Sequence, residues 1–258
     1  MNVVRAIWVS AAFALLLLIS APVQILIVLV APSLQHHLPK AVFAGAARLM
    51  GARVVVRGPA PAAGPLLLVA NHVSWIDIIA IGATVPCQFI AKRDVNAWPV
   101  FGPLARLIRT CFVDRERRHA VSPVREEMAE RFAAGDILIL FPEGTSSDGR
   151  QVLAFKSALF PGTGPGAPPV QPLSLHYRDT AGRDGAHYGW YADMELLPHM
   201  WHIFKGGPFE VNLEFHRVLD DLEAKDRKQQ AARSEAIVRE GLALAHKGAK
   251  ETSEIASS

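Results

Sequence analysis

A histidine and an aspartate, His72 and Asp77, stand five positions apart directly after an apolar run in this 258-residue sequence. The run, Leu66–Ala70, contains no polar residue and predicts a short strand that is buried on both faces. Functional side chains often lie where such strands end and loops begin. A carboxylate that binds one imidazole nitrogen fixes the tautomer and leaves the other nitrogen as a general base. The pair is therefore a candidate proton-transfer site.

The five-residue spacing limits how the two side chains can meet. On a continuous helix they would lie roughly 140° apart, so contact requires the chain to turn between them. The polar segment Asn71–Ser74 allows such a turn, and Trp75–Thr84 has the length and apolar spacing of a helix. In the structural alternative, His72 closes the strand and Asp77 only stabilises the first turn of the helix. Spacing by itself leaves both interpretations open.

A second apolar run, Asp136–Phe141, leads straight into a turn with the sequence Pro-Glu-Gly-Thr. Two buried strands that each end in a polar turn predict one site at a common sheet edge. In this turn Gly144 permits close approach of the backbone, and Thr145 adds a hydroxyl to the backbone N–H groups. Such a turn suits an anionic headgroup or a developing oxyanion.

These motifs resemble those of the glycerolipid acyltransferases, the family typified by lysophosphatidic acid acyltransferase. Asn71-His72 with Asp77 matches the family's NH-four-residues-D box, and Phe141–Thr145 matches its FPEGT box. Phe112–Arg115 is similar to the box that ends in arginine, and Val170–Leu173 to the box centred on proline. The boxes follow the family's order between residues 71 and 173.

The resemblance implies an enzyme that moves a fatty acyl group from acyl-CoA or acyl carrier protein to the hydroxyl of a lysophospholipid. The first expectation for the acceptor is 1-acyl-sn-glycerol-3-phosphate, which would give phosphatidic acid. His72 and Asp77 are then catalytic, and no bound cofactor is expected. The substrate-binding residues implied by the family are Arg115, Glu143, Gly144 and Thr145.

Direct attack by the acceptor hydroxyl is the expected mechanism. The sequence contains no GxSxG elbow, and neither Cys87 nor Cys111 lies in the pattern of an activated nucleophile. His199 and His202 stand three apart without an evident third ligand, so no metal site is predicted.

One departure from the family concerns the residues after the FPEGT box, where the family commonly continues with arginine and serine. Here Thr145 is followed by Ser146-Ser147-Asp148, which is less favourable for a phosphate. Related enzymes acylate lyso-ornithine lipid, whose headgroup carries an amine that Asp148 could bind. Lyso-ornithine lipid O-acyltransferase is therefore the alternative. A lipid or thioester hydrolase and a catalytically silent membrane-binding protein are more distant ones.

The order of predicted strands and helices indicates an α/β fold, a single domain with a mixed, largely parallel sheet flanked by helices. We divide the chain into an N-terminal membrane-associated segment (1–50), an acyltransferase domain (51–250) and a frayed tail (251–258). The balance of 27 basic and 24 acidic residues gives no indication of nucleic-acid binding. The segment Lys92–Arg118 is locally basic and could meet phosphate or an anionic membrane.

The segment Ala6–Ala31 contains no charged residue, and as a helix it would extend about 39 Å, longer than the hydrocarbon core of a bilayer. Pro22 and Gln24 interrupt it, so a kinked span and a helix that turns back within one leaflet are both compatible with the sequence. Together with two cysteines that lack disulfide spacing, this predicts an enzyme of the inner membrane whose active site faces the cytoplasm.

Overall fold

The computed structural model describes residues 2–114, 121–164, 166–179, 183, 185–219, 224 and 226–257. Its strands are β1 Ala52–Arg57, β2 Leu66–Ala70, β3 Gln88–Lys92, β4 Cys111–Val113, β5 Ile137–Leu140, β6 Val170–Arg178 and β7 Phe209–Phe215. Its helices are α1 Val3–Val30, α2 His37–Met50, α3 Trp75–Thr84, α4 Phe101–Leu107, α5 Val121–Ala133, α6 Gly185–Tyr188, α7 Leu196–Lys205 and α8 Arg227–Ser257.

The seven strands form one sheet in the order β1-β7-β6-β2-β5-β3-β4. Every neighbouring pair is parallel except β6 and β7, which are antiparallel. Helices cover both faces, as connections between parallel strands require. The predicted fold class, a mixed and largely parallel sheet flanked by helices after an N-terminal apolar helix, is confirmed.

Strand β2 lies in the middle of the sheet, and all five of its residues are fully buried. Leu66, Leu68 and Ala70 pack into a core with α1, α2, α3 and α7, whereas Leu67 and Val69 pack into a second core with α5 and α8. Because both faces are covered, the strand needs apolar side chains at every position. This is why β2 reads as a continuous apolar run, and it fixes the place where His72 leaves the sheet.

Several element bounds differ from the sequence-based expectation. The charged, amphipathic pattern predicts a C-terminal helix over 220–247, whereas α8 spans Arg227–Ser257. Helix α7 has no counterpart among the sequence predictions. The amphipathic pattern of 98–108 predicts a helix, but α4 covers only Phe101–Leu107 and follows a short 3-10 turn at Arg93–Ala97. The proposed division at residues 50 and 250 stays a prediction.

Helix α1 is long and apolar enough to cross a membrane by length and composition, with 28 residues and a mean hydropathy of 2.7. Its inner face nevertheless packs on the domain. Arg5 donates to the carbonyl oxygens of Met50, at 2.7 Å, and Phe204. The rings of Phe13 and Phe204 are 5.8 Å apart, and Gln24 donates to the carbonyl oxygen of Gln35 at 2.8 Å. The helix is thus held along most of its length.

Candidate active site

The structure brings His72 and Asp77 together at the carboxyl end of β2. Asp77 Oδ2 lies 2.7 Å from His72 Nδ1. The chain turns as the spacing required, because His72 belongs to the extended segment before α3 and Asp77 to its first turn. Nδ1 is therefore occupied, and Nε2 is the ring nitrogen left for a substrate proton.

Asp77 is completely buried and its two carboxylate oxygens are surrounded by donors. Besides His72, Oδ2 accepts from the backbone N–H groups of Val73 at 2.7 Å and Ser74 at 2.9 Å. Oδ1 accepts from the hydroxyl of Tyr177, which comes from β6. Burial is the main cause that raises the pKa of Tyr177 well above its usual value, and the neighbouring charge of Asp77 adds to the shift. The hydroxyl therefore keeps its proton and remains a donor. These donors hold the carboxylate in one orientation.

The peptide groups around His72 are held from both sides. His72 N–H donates to Glu143 Oε1 at 3.0 Å, and its carbonyl accepts from the N–H of Ser147 at 2.9 Å. The carbonyl of Val73 accepts from the N–H of Trp190 at 2.9 Å. Buried backbone groups need such partners. The loop after β5 and the loop after α6 thereby fix the position of the histidine.

The His72 ring also stacks on Phe141, with 4.1 Å between ring centroids and 19° between planes. Phe141 is the first residue of the FPEGT sequence, so the two sequence boxes are in direct contact. The predicted meeting of two strand ends at one sheet edge is what the structure shows, since β2 and β5 are parallel neighbours.

Glu143 is buried next to His72, with 3% of its surface exposed. Its carboxyl group accepts the hydrogen bond from the backbone N–H of His72. Burial is the main cause that raises its pKa to about 8. At neutral pH the protonated form is therefore favoured, and Asp77 supplies the negative charge next to the imidazole. This placement lets Glu143 position the histidine through its backbone N–H, and its contact with the acceptor stays a prediction.

Gly144 and Thr145 border a cavity that begins at His72. Gly144 has a φ of 78°, a left-handed conformation that favours glycine, and its N–H donates within the turn to Phe141 at 3.1 Å. Arg115, the fourth predicted binding residue, lies outside the described residues.

The cavity is large and mostly apolar, with a volume of about 640 Å³. It starts at His72 and passes between α1, α2, α3 and α4, where its walls include Phe13, Phe43, Ile79 and Leu104. This volume lies within the usual range for ligand sites, ~300–1,000 Å³. A long apolar chain fits such a space with its reactive end at the histidine.

The described part of the basic segment Lys92–Arg118 is largely paired with local acceptors. Lys92 lies 2.6 Å from Asp94, and Arg109 lies 3.3 Å from Asp136. Arg106 donates to the Asn96 side chain at 2.6 Å. These pairs reduce the positive field that would attract a phosphate dianion. The remaining basic residues at positions 115, 117 and 118 are outside the described part of the chain.

Sequence reasoning missed Tyr177 and Trp190. Tyr177 stands 100 positions after Asp77 and looks like any other residue of a buried strand. Trp190 follows α6, a four-residue helix without a sequence signal. Ser146, singled out as a departure from the family, lines the cavity and donates its hydroxyl to the carbonyl oxygen of Trp190.

The fold and this site agree with comparisons to known proteins. The acyltransferase family matches residues 53–176. The lyso-ornithine lipid O-acyltransferase of Rhizobium meliloti is 36% identical over 86% of this chain and 82% of its own length. The protein of the same name from Brucella abortus is 38% identical over 92% and 93%. The 1-acyl-sn-glycerol-3-phosphate acyltransferase of Neisseria gonorrhoeae is 35% identical over 63% of each chain.

A solved structure shares the fold. The 1-acyl-sn-glycerophosphate acyltransferase PlsC from Thermotoga maritima superposes with a TM-score of 0.70 over 95% of this chain and 96% of that one, at 20% identity. The chain belongs to the acyltransferase family. The resemblance expected from the sequence boxes is confirmed, and the protein is an acyltransferase of lipid metabolism.

Proposed function

We propose that the protein is a membrane-associated lyso-ornithine lipid O-acyltransferase, which esterifies the free hydroxyl of that lipid with a fatty acyl group from a thioester. The observation that carries the proposal is the similarity to lyso-ornithine lipid acyltransferases over most of both chains, at 36% and 38% identity. The sequence boxes alone place lysophosphatidate first. The pairing of the described basic residues and the absence of arginine at Ser146 both favour the other acceptor.

The geometry supports general-base catalysis of direct acyl transfer. The acceptor hydroxyl oxygen attacks the thioester carbonyl carbon while His72 Nε2 takes its proton. The C–S bond then breaks, an ester remains, and the imidazolium returns the proton to the leaving thiolate. Asp77 holds the imidazole and stabilises its charged form. Burial raises the pKa of the Cys87 and Cys111 thiols, which makes them poor nucleophiles.

An acyl-transfer assay of the purified protein tests this function. The acceptors are lyso-ornithine lipid and 1-acyl-sn-glycerol-3-phosphate, each with acyl-CoA and with acyl carrier protein as donor. We expect ester formation on lyso-ornithine lipid at a higher specificity constant, and none without acceptor. Free fatty acid released without acceptor would instead indicate a hydrolase, and the donor that works identifies the partner.

Lysophosphatidate is the second candidate acceptor. The relative from Neisseria gonorrhoeae named for that reaction is 35% identical to this chain over 162 residues. Arg115 also ends a box that the family uses for acceptor binding. A higher specificity constant for 1-acyl-sn-glycerol-3-phosphate in the same assay would favour this candidate over the first.

We propose that the protein attaches to one leaflet of the inner membrane with its active site at the cytoplasmic surface, and the described contacts of α1 support the attachment to one leaflet. The contacts at Arg5 and Gln24 are separated by about 28 Å of helix, so the helix cannot cross the bilayer without leaving the domain. Its opposite face exposes large apolar side chains, among them Trp8, Leu18 and Leu29. Lipid chains could then enter the cavity between α1 and α4 directly from the leaflet.

We expect the double variant Leu18→Asn/Leu29→Asn to be released from membranes much more easily than the wild type. Each leucine is more than two-thirds exposed, and burying such a side chain in lipid contributes roughly 1.5–3 kcal/mol. Activity on vesicles should fall at least ~10-fold, while activity on detergent-dispersed substrate remains. Leu244→Asn on α8 is the matched control, since that leucine is also exposed. Equal membrane recovery of the double variant and the control would contradict the proposed orientation.

A further inference from the structure

The end of β3 lies level with the catalytic histidine. Strands β2 and β3 both pair with β5. Leu68 of β2 and Phe89 of β3 are both paired with Ile139 of β5, so these two residues lie at the same level of the sheet. Continuing this register by three residues brings Lys92, the last residue of β3, level with Asn71, which directly follows β2 and precedes His72. Because β5 lies between the two strands, about 10 Å separates these positions across the sheet.

Two opposite charges occupy this level at the edge of the cavity. Lys92 Nζ lies 2.6 Å from Asp94 Oδ2. The two side chains are 48% and 65% exposed, and both residues line the cavity that starts at His72. An exposed ion pair of this kind contributes little to stability. Its charges are therefore able to exchange partners with a ligand at low cost.

The two candidate acceptors differ in how far their charged groups lie from the reacting hydroxyl. Lyso-ornithine lipid is ornithine with a 3-hydroxyacyl group on its α-amine, so its carboxylate and δ-ammonium are free. About eight bonds join the hydroxyl-bearing carbon to the ammonium nitrogen, an extended reach of ~9–10 Å. In lysophosphatidate about three bonds lead to phosphorus, ~4 Å. The ornithine ammonium is thus long enough in reach to extend from the histidine toward the end of β3, whereas the phosphate of lysophosphatidate stays closer to the reacting hydroxyl.

Resting on the proposed function, we infer that Lys92 and Asp94 form the headgroup site of this enzyme. Asp94 binds the δ-ammonium group, and Lys92 faces the carboxylate. The ligand class is a zwitterionic amino-acid headgroup. Its ammonium and carboxylate pair with Asp94 and Lys92, which otherwise pair with each other. A phosphate dianion would instead meet Asp94 as a like charge.

The sequence suggests Asp148 as the partner of the amine, but the structure favours a different carboxylate. Asp148 Oδ1 accepts from the backbone N–H of Arg150 at 3.0 Å. Among the described residues, those lining the cavity include Asp94 and Ser146 but not Asp148. The ammonium site is thus expected on the β3 side of His72.

A substrate that lacks the amine isolates this interaction. N-(3-hydroxyacyl)norvaline has the same carbon skeleton as lyso-ornithine lipid without the δ-amino group. We expect the specificity constant of the wild type for lyso-ornithine lipid to be about ten-fold higher than for the norvaline analogue. This is the lower end of the effect of a hydrogen bond to a charged group, because solvent weakens the interaction at the exposed Asp94. Asp94→Asn should remove this preference, and Asp94→Glu should retain part of it.

Asp193→Asn is the matched control, because Asp193 is an exposed carboxylate next to Tyr191 and Ala192, which line the cavity. It should keep the ten-fold preference. Lysophosphatidate provides a second readout, since Asp94→Asn removes a repulsive charge and should raise its use, opposite in sign to the effect on lyso-ornithine lipid.

The outcomes separate the two proposals. If the wild type acylates lyso-ornithine lipid and the Asp94→Asn variant still prefers this lipid over the norvaline analogue, the headgroup site is overturned and the proposed function stands. The headgroup site is likewise overturned if Asp148→Asn, rather than Asp94→Asn, removes the preference. A wild type that leaves lyso-ornithine lipid unacylated overturns the proposed function, and the headgroup site with it.

Discussion

Replacement of His72 by alanine is expected to reduce acyl transfer by about 10²–10⁴-fold, the usual contribution of a positioned general base. The fold should remain intact, because Asp77 keeps its bonds to two backbone N–H groups and to Tyr177. The measurement is kcat with saturating donor and acceptor, together with the melting temperature. A loss of rate with little change in KM would show that the imidazole acts on the chemical step.

His37 supplies the control for this variant. It is an exposed histidine at the start of α2, near the cavity wall but away from the strand ends. His37→Ala should leave turnover close to that of the wild type. Near-normal turnover of purified His72→Ala would mean that the enzyme does not use the base proposed above.

Replacement of Asp77 by asparagine is expected to reduce kcat by about 10²–10³-fold. The variant keeps the size of the side chain but removes the charge that faces His72 Nδ1 at 2.7 Å. The imidazolium formed during transfer then has no counter-ion.

Tyr177→Phe is the matched comparison for this prediction. It removes one hydrogen bond to Asp77 Oδ1 and leaves the charge, so the rate should fall only about three- to ten-fold. If Tyr177→Phe reduced turnover as strongly as Asp77→Asn, the carboxylate charge would not be the main contribution of Asp77.

The candidate site was predictable where its parts are close along the chain. His72 and Asp77 are five residues apart, and the apolar run before them and the helix after them fix the turn that joins them. The FPEGT turn was predictable for a similar reason, because a strand buried on both faces must end where polar residues begin. Parallel neighbours then bring their carboxyl ends to one edge.

The fold class also followed from the sequence, since strands that alternate with helices favour parallel pairing. The antiparallel pairing of β6 with β7 did not follow. Both strands consist mostly of buried residues, and such strands pack equally well in either direction. Their direction depends on the path of α6 and α7 between them, and α7 was not predicted.

Contacts between distant residues were decided by tertiary structure alone. Tyr177 reaches Asp77 because β6 lies next to β2, and Asp94 stands near the active site because the register through β5 puts the end of β3 level with Asn71. Local patterns in a sequence report which residues are buried and where strands end. Strand order and register arise from packing of the whole sheet, so only the folded chain determines which distant side chains complete the site.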